Sequence, residues 1–189
     1  MDFSQYESIF LKTEALLAKK PRVVLAIDGG ACSGKTTLAA ELEKRFGAAV
    51  IHADDFFLRP EQRTPERFAE AGGNFDRERF FEEVLLPLKK GGAFSYRKFD
   101  CHTMTLTETV EVAPTSLVVI EGSYSHHPLF DGFYDLRVFL SISASEQRKR
   151  ILARNEDLAD QFFSRWIPFE NRYFRTFFIE KKADIVISV

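Results

Sequence analysis

The chain has 189 residues, 45% of them hydrophobic and 29% charged, with a formal net charge of -2. This length favours one domain around a single buried core, and the composition is ordinary for a soluble globular protein. Near-neutrality offers no basic face for nucleic acid, and no apolar run approaches the about 18 residues that span a bilayer.

Residues 3 to 18 place Phe3, Tyr6, Ile9, Phe10, Leu16 and Leu17 at helical spacing. That predicts an amphipathic helix within residues 1–20, ended near Pro21. The opening Met1-Asp2-Phe3 carries no basic and apolar leader. Cys32 and Cys101 form neither a CxxC pair nor a disulfide framework, so a cytoplasmic chain with two free thiols is expected. Arg22 to Asp28 is a short, β-branched apolar run and predicts a buried parallel strand.

Gly29-Gly30-Ala31-Cys32-Ser33-Gly34-Lys35-Thr36 follows at once and fits G-x-x-x-x-G-K-[ST] in full. Glycines let the backbone curl so that successive amides face a polyphosphate. The helix predicted from Thr36 to about Phe46 adds the positive end of its dipole. Lys35 is the mobile charge for the β- and γ-phosphates, and the Thr36 hydroxyl is a Mg²⁺ ligand. Residues Gly29 to Thr37 are therefore expected to bind a nucleoside triphosphate. Cys32 contributes backbone there.

A second strand is predicted over Ala49 to Ala53, and Asp54-Asp55-Phe56-Phe57 follows it. Ligands of an open parallel sheet bind beyond the carboxyl ends of the strands. One of the two aspartates is thus placed to take the proton of an attacking hydroxyl. Residues 58 to 74 read as a long functional loop with at most one helical turn. Asp76 to about Leu86 reads as helix, broken at Gly91-Gly92. Residues 94 to 113 read as an excursion with one short strand around Thr109-Val112.

Leu117-Val118-Val119-Ile120 is a buried strand ending in Glu121, the expected second Mg²⁺-organising group, acting directly or through water. Leu136 to Leu140 is the next strand, followed by helices over about 145–154 and 158–178 and a last strand over 184–187. Strands alternating with helices predict an α/β layer fold with a mostly parallel sheet. His126-His127 lacks metal-site spacing and reads as structural or surface. Trp166, Phe169, Tyr173, Phe174, Phe177 and Phe178 recur at helical intervals and read as core.

With these residues in place, the chain resembles the uridine kinase and phosphoribulokinase group of P-loop kinases. Asp54-Asp55-Phe56-Phe57 is similar to the Asp-x-Phe-Tyr of uridine kinases and closer still to the Asp-Asp-Phe-Phe of nicotinamide riboside kinases. The resemblance makes Asp54 the catalytic base beside Lys35. Asn74-Phe75-Asp76 resembles a segment whose aspartate holds ribose hydroxyls, which points to Asp76. Tyr96 to His102 lies where the group recognises the base, so Tyr96, Asp100 and His102, with Phe57, become substrate-binding candidates. Glu121-Gly122 matches the Glu-Gly after the third strand. Arg148, Arg150 and Arg154 resemble lid arginines, with Arg154 expected on the nucleotide. Arg165, Glu170 and Arg172 are candidates to line the acceptor pocket.

The chain departs from the group at Phe57, which lacks the tyrosine hydroxyl. It departs again in the shorter spacing of Asp100 to His102, and at Glu156, where the lid pattern has arginine. The resemblance implies a three-layer P-loop fold with a five-stranded sheet and helical lid, as one domain over 1–189. Acceptor-binding insertions span about 58–113 and the lid about 154–165. It implies Mg²⁺, ATP or GTP as donor, and a small-molecule acceptor, most simply the 5′-hydroxyl of a nucleoside. It brings no nucleic-acid or membrane partner and is compatible with an oligomer. Alternatives are another acceptor, such as nicotinamide riboside or pantothenate, or a non-catalytic nucleotide-binding module. No guanine-reading Asn-Lys-x-Asp occurs in the chain.

Overall fold

A computed structural model describes residues 3–154 and 156–189. Five strands form one parallel sheet in the order β2-β5-β1-β6-β7: β1 (Val23–Gly29), β2 (Ala49–His52), β5 (Leu117–Glu121), β6 (Leu136–Ser141) and β7 (Ile185–Ser188). Every pairing among them is parallel, so the expected "mostly" becomes "wholly". The other two strands, β3 (Phe94–Asp100) and β4 (Thr105–Val112), make a separate antiparallel hairpin. Only the second half of β4 was expected as strand.

Alternation along the central strands builds two cores. Leu25 and Ile27 of β1, Val119 of β5 and Val138 of β6 face one side, against Ile9 and Phe10 of α1 (Glu7–Leu17) and Leu38 and Leu42 of α2 (Lys35–Phe46). Val24, Val118, Ile120 and Phe139 face the other, where Phe56, Phe75, Phe80, Phe130 and Tyr173 gather. Burial on both faces is why these strands read as continuous apolar runs. The result is a three-layer α/β fold.

The segment over 58–74 holds a 3-10 turn (Pro60–Gln62) and a short helix, α3 (Pro65–Ala69), capped by the Thr64 hydroxyl. After it, α4 (Arg77–Phe80) runs through a π-helical turn (Phe81–Leu85) into α5 (Leu86–Lys90), which stops at Gly91 in the left-handed region. Later come α6 (Ala144–Arg154), α7 (Ala159–Gln161), a second π-helical turn (Phe162–Trp166), α8 (Ile167–Phe177) and α9 (Ile179–Lys182). The predicted aromatic stripe divides. Tyr173 is fully buried, but Phe178 takes a left-handed φ of 55° between α8 and α9 and is 57% exposed. It ends the helix instead of joining the core.

Below the sheet edge, the carboxylate of Asp28 ties three segments together. It accepts the amides of Gly29 (2.7 Å) and His126 (3.0 Å) and the Tyr173 hydroxyl (2.8 Å). Removing that hydroxyl by Tyr173→Phe leaves a buried acceptor short of one donor. We expect a loss of about 1–3 kcal/mol in urea denaturation with little change of fold. A loss under about 0.5 kcal/mol would mean that Asp28 is held by the two amides alone.

Candidate active site

The carboxyl ends of β1, β5 and β2 lie level, because Ile27 pairs with Glu121 and Glu121 with His52. Whatever follows these strands therefore converges on one edge. β1 leaves Gly29 at φ 147°, and a Cβ there would come within 2.4 Å of the Leu140 carbonyl oxygen, so only glycine fits beside β6. The loop that follows turns into α2 at Gly34, whose φ of 96° is also left-handed.

Lys35 donates from Nζ to the carbonyl oxygens of Gly29 (2.8 Å) and Gly30 (3.0 Å), which folds its ammonium back over the loop. Thr36 Oγ1 lies 3.3 Å from both carboxylate oxygens of Glu121. This set of hard oxygens suits Mg²⁺, which takes one or two protein ligands and completes its shell with water and phosphate. Among the described residues no three His, Cys, Asp or Glu cluster as an all-protein cage, so the fit is to a metal shared with a phosphate substrate. Thr36 and Glu121 would hold it. Bound there, it would neutralise charge on the transferring phosphoryl group.

His52 sits beside this pair, its Nδ1 2.6 Å from Glu121 Oε1. That hydrogen bond raises the His52 pKa against the opposing effect of burial. Nothing in the sequence singled His52 out.

Asp54 occupies the 3-10 turn Ala53–Phe56 after β2, on the same edge. It is open to solvent, yet the surrounding protein raises its pKa. Lys35 opposes that rise and Glu121 adds to it. Asp55 is half-buried, and its Oδ2 accepts the Tyr96 hydroxyl at 3.0 Å. Burial raises its pKa while that hydrogen bond pulls it down. Of the aspartate pair, Asp54 is coupled electrostatically to Lys35 and Glu121, and Asp55 is tied into the hairpin.

The other predicted residues are distributed unevenly. Asp76 is 1% exposed. Its Oδ1 caps α4 through the Arg79 amide (3.2 Å), while Oδ2 has no hydrogen bond and lies 3.6 Å from Arg59 Nε. Phe57 bridges to Phe75 through its backbone. Tyr96 is buried, its hydroxyl committed to Asp55. The Asp100 carboxylate accepts the amides of His102 (2.7 Å) and Thr103 (3.4 Å), shaping the exposed hairpin tip on which His102 also lies. Arg154 is exposed at the end of α6, near enough to Cys32 to lower its pKa, although burial raises that thiol overall. Asn155, next in the lid segment, lies outside the described residues, as do Met1 and Asp2.

Other lid candidates are turned to support. Arg150 donates to the Cys32 carbonyl (3.3 Å), and Arg148 lies 4.6 Å over the Phe163 ring. Glu170, expected with Arg165 and Arg172 on the acceptor side, instead accepts the Ala31 amide (3.0 Å) and the Ser123 hydroxyl (2.6 Å). Arg165 and Arg172 meet the segment over 58–74: Arg165 sits 5.0 Å over the Phe68 ring, and Arg172 donates to the Phe68 carbonyl. His126 and His127 are buried in structural roles. His126 Nε2 contacts the Ala26 carbonyl, and burial lowers the His127 pKa to about 4. Sequence reasoning also missed Gln147, whose Nε2 donates to the Ala31 carbonyl (3.0 Å).

No family model matches the chain. Among curated proteins it is similar to the uridine kinase of Mycoplasma pneumoniae, 26% identical over 188 residues, 89% of this chain and 85% of that protein. It is also similar to the uridine kinase of Halobacterium salinarum, 27% identical over 185 residues, 88% of this chain and 80% of that one. Among solved structures it is similar to one described as a possible uridine kinase from Bacillus stearothermophilus. The two share 25% identity and a TM-score of 0.69, with 96% of this chain and 97% of that chain covered. No helix among the described residues is long and apolar enough to cross a membrane. In sequence and in fold the chain is similar to uridine kinases and fits a uridine kinase-like P-loop kinase.

Proposed function

We propose that the chain transfers the γ-phosphoryl group of a Mg²⁺-bound ATP or GTP to the 5′-hydroxyl of a nucleoside. One observation carries the reading: the loop Gly29–Thr37, the Thr36–Glu121 oxygen pair and Asp54 share a single sheet edge. Phosphoryl transfer through a loose transition state needs mainly positioning and charge neutralisation, and this edge offers both. Lys35 and, from the lid over about 154–165, Arg154 neutralise the phosphates. Asp54 orients the hydroxyl and takes its proton. Asp76, whose Oδ2 makes no hydrogen bond and lies beside Arg59, holds the sugar. Residues about 58–113 form the acceptor wall.

A second reading within the same reaction class has its own support. The Tyr96 hydroxyl is committed to Asp55 and the Asp100 carboxylate to the amides of the exposed hairpin tip, so two of the side chains aligned with base recognition already have partners in the protein. That favours an acceptor other than uridine. The test is ADP or GDP formation with uridine, cytidine, nicotinamide riboside and pantothenate, each against a no-acceptor control. Turnover with a nucleoside at least tenfold above the control is expected. Turnover with pantothenate alone overturns the nucleoside assignment, and slow hydrolysis with no phosphorylated acceptor overturns the transferase reading.

A further inference from the structure

We infer that Glu170 is a positioning residue for the phosphate loop: it fixes the Gly30–Ala31 peptide so that Lys35 and the loop amides are set for a triphosphate. This rests on reading residues 29–37 as the triphosphate site. Glu170 projects from α8, 139 residues away in sequence from the amide it holds. It is 6% exposed, and both carboxylate oxygens are occupied, one by Ala31 N–H at 3.0 Å and one by the Ser123 hydroxyl at 2.6 Å.

A planar trans peptide points its N–H and its C=O in opposite directions. Ala31 N–H and Gly30 C=O belong to one such unit. Holding the amide toward Glu170 therefore aims the Gly30 carbonyl the other way, and that oxygen receives Lys35 Nζ (3.0 Å) and the Ser33 amide (3.1 Å). Turning the plane over would break both contacts.

The loop needs such a lock because its glycines do not supply one. Glycine leaves the adjoining peptide plane nearly free to rotate, and a Cβ at position 30 would come within 2.8 Å of Gln147 Nε2 and push that side chain from the Ala31 carbonyl it holds. Gln147 and Arg150 of α6 hold the next two carbonyls, of Ala31 and Cys32, from outside. Glu170 completes the set from α8. A carboxylate this close to a phosphate cradle would otherwise only repel the ligand, so reach and charge make opposite predictions.

Two substitutions separate them. Glu170→Asp keeps the charge and shortens the reach by about 1.5 Å, one carbon–carbon bond. Glu170→Gln keeps the reach and an acceptor oxygen but removes the charge. Calorimetric titration with MgATP is expected to show the Asp variant at least about fivefold weaker than the Gln variant, with acceptor KM unchanged in both. A smaller gap, or the reverse order, overturns the positioning role. Where Glu170→Asp fails to fold by circular dichroism, Glu170→Ala replaces it as the variant without reach. If the unsubstituted chain itself takes up no MgATP, the triphosphate reading fails; if it binds and the gap is absent, only the role of Glu170 fails.

Discussion

Replacing Asp54 by Asn is expected to lower kcat about a thousandfold while MgATP still binds. General-base contributions run about 10²–10⁴-fold, and three decades correspond to about 4 kcal/mol of barrier. Asn keeps the size and the hydrogen-bonding shape but cannot take a proton. The pH profile gives an independent check. The surrounding protein pushes the Asp54 pKa up, Lys35 only partly offsetting it. The ionised form is the base, so the rate should fall as pH drops through the folded value. Because that value is raised, the acid limb should lie above the about 3.9 of a free aspartate. In the Asn variant the limb should vanish. Normal turnover by Asp54→Asn would move the base elsewhere, Asp55 being the nearest alternative.

Lys35→Ala is expected to reduce kcat/KM for ATP by about 10²–10³, the cost of losing one charged donor aimed at a developing anion. Lys35→Arg should rescue little, since a planar fork does not replace a compact ammonium at a crowded site. The lysine has a second task, holding the Gly29 and Gly30 carbonyls. The variant should therefore also melt lower, by the few degrees that losing about 1 kcal/mol implies for a chain of this size. Calorimetry, steady-state kinetics and thermal melting on one preparation measure all three effects. Retention of wild-type kcat/KM would remove the phosphate loop from the mechanism.

What was legible in the sequence was local. The phosphate loop, the strand ending in Glu121 and the five sheet strands each announce themselves within about ten residues, because the chemistry or the burial is continuous along the chain. The strand β3 did not announce itself. Its alternation of outward and inward residues is broken by a register shift between Arg97 and Phe99, and period-two reasoning fails across a bulge. The supports of the site were also hidden. Ser123, Gln147 and Glu170 act over separations of 94 to 139 residues, and a polar residue on a helix gives no sign of which loop it will meet. For that reason Glu170 meets the Ala31 amide unannounced, whereas Arg165 and Arg172 reach Phe68 in the segment over 58–74. The turn role of Asp100 was hidden in another way: nothing in the sequence shows that its carboxylate will accept the His102 amide.

The wide π-helical turn at Phe162–Trp166 has a consequence for which changes in chain length the kinase tolerates. Such a turn holds one residue more than an α-helical turn, and each residue advances a helix by about 100°. Deleting one amino acid there would restore regular winding and keep the helix intact, but it would rotate everything downstream by more than a quarter circle. Tyr173 would swing away from Asp28, and Phe169 from its stack on Phe68. Length at this point acts as a phase setting, and homologues that lost the extra residue would have to rebuild the contacts of Tyr173 with Asp28 and of Phe169 with Phe68.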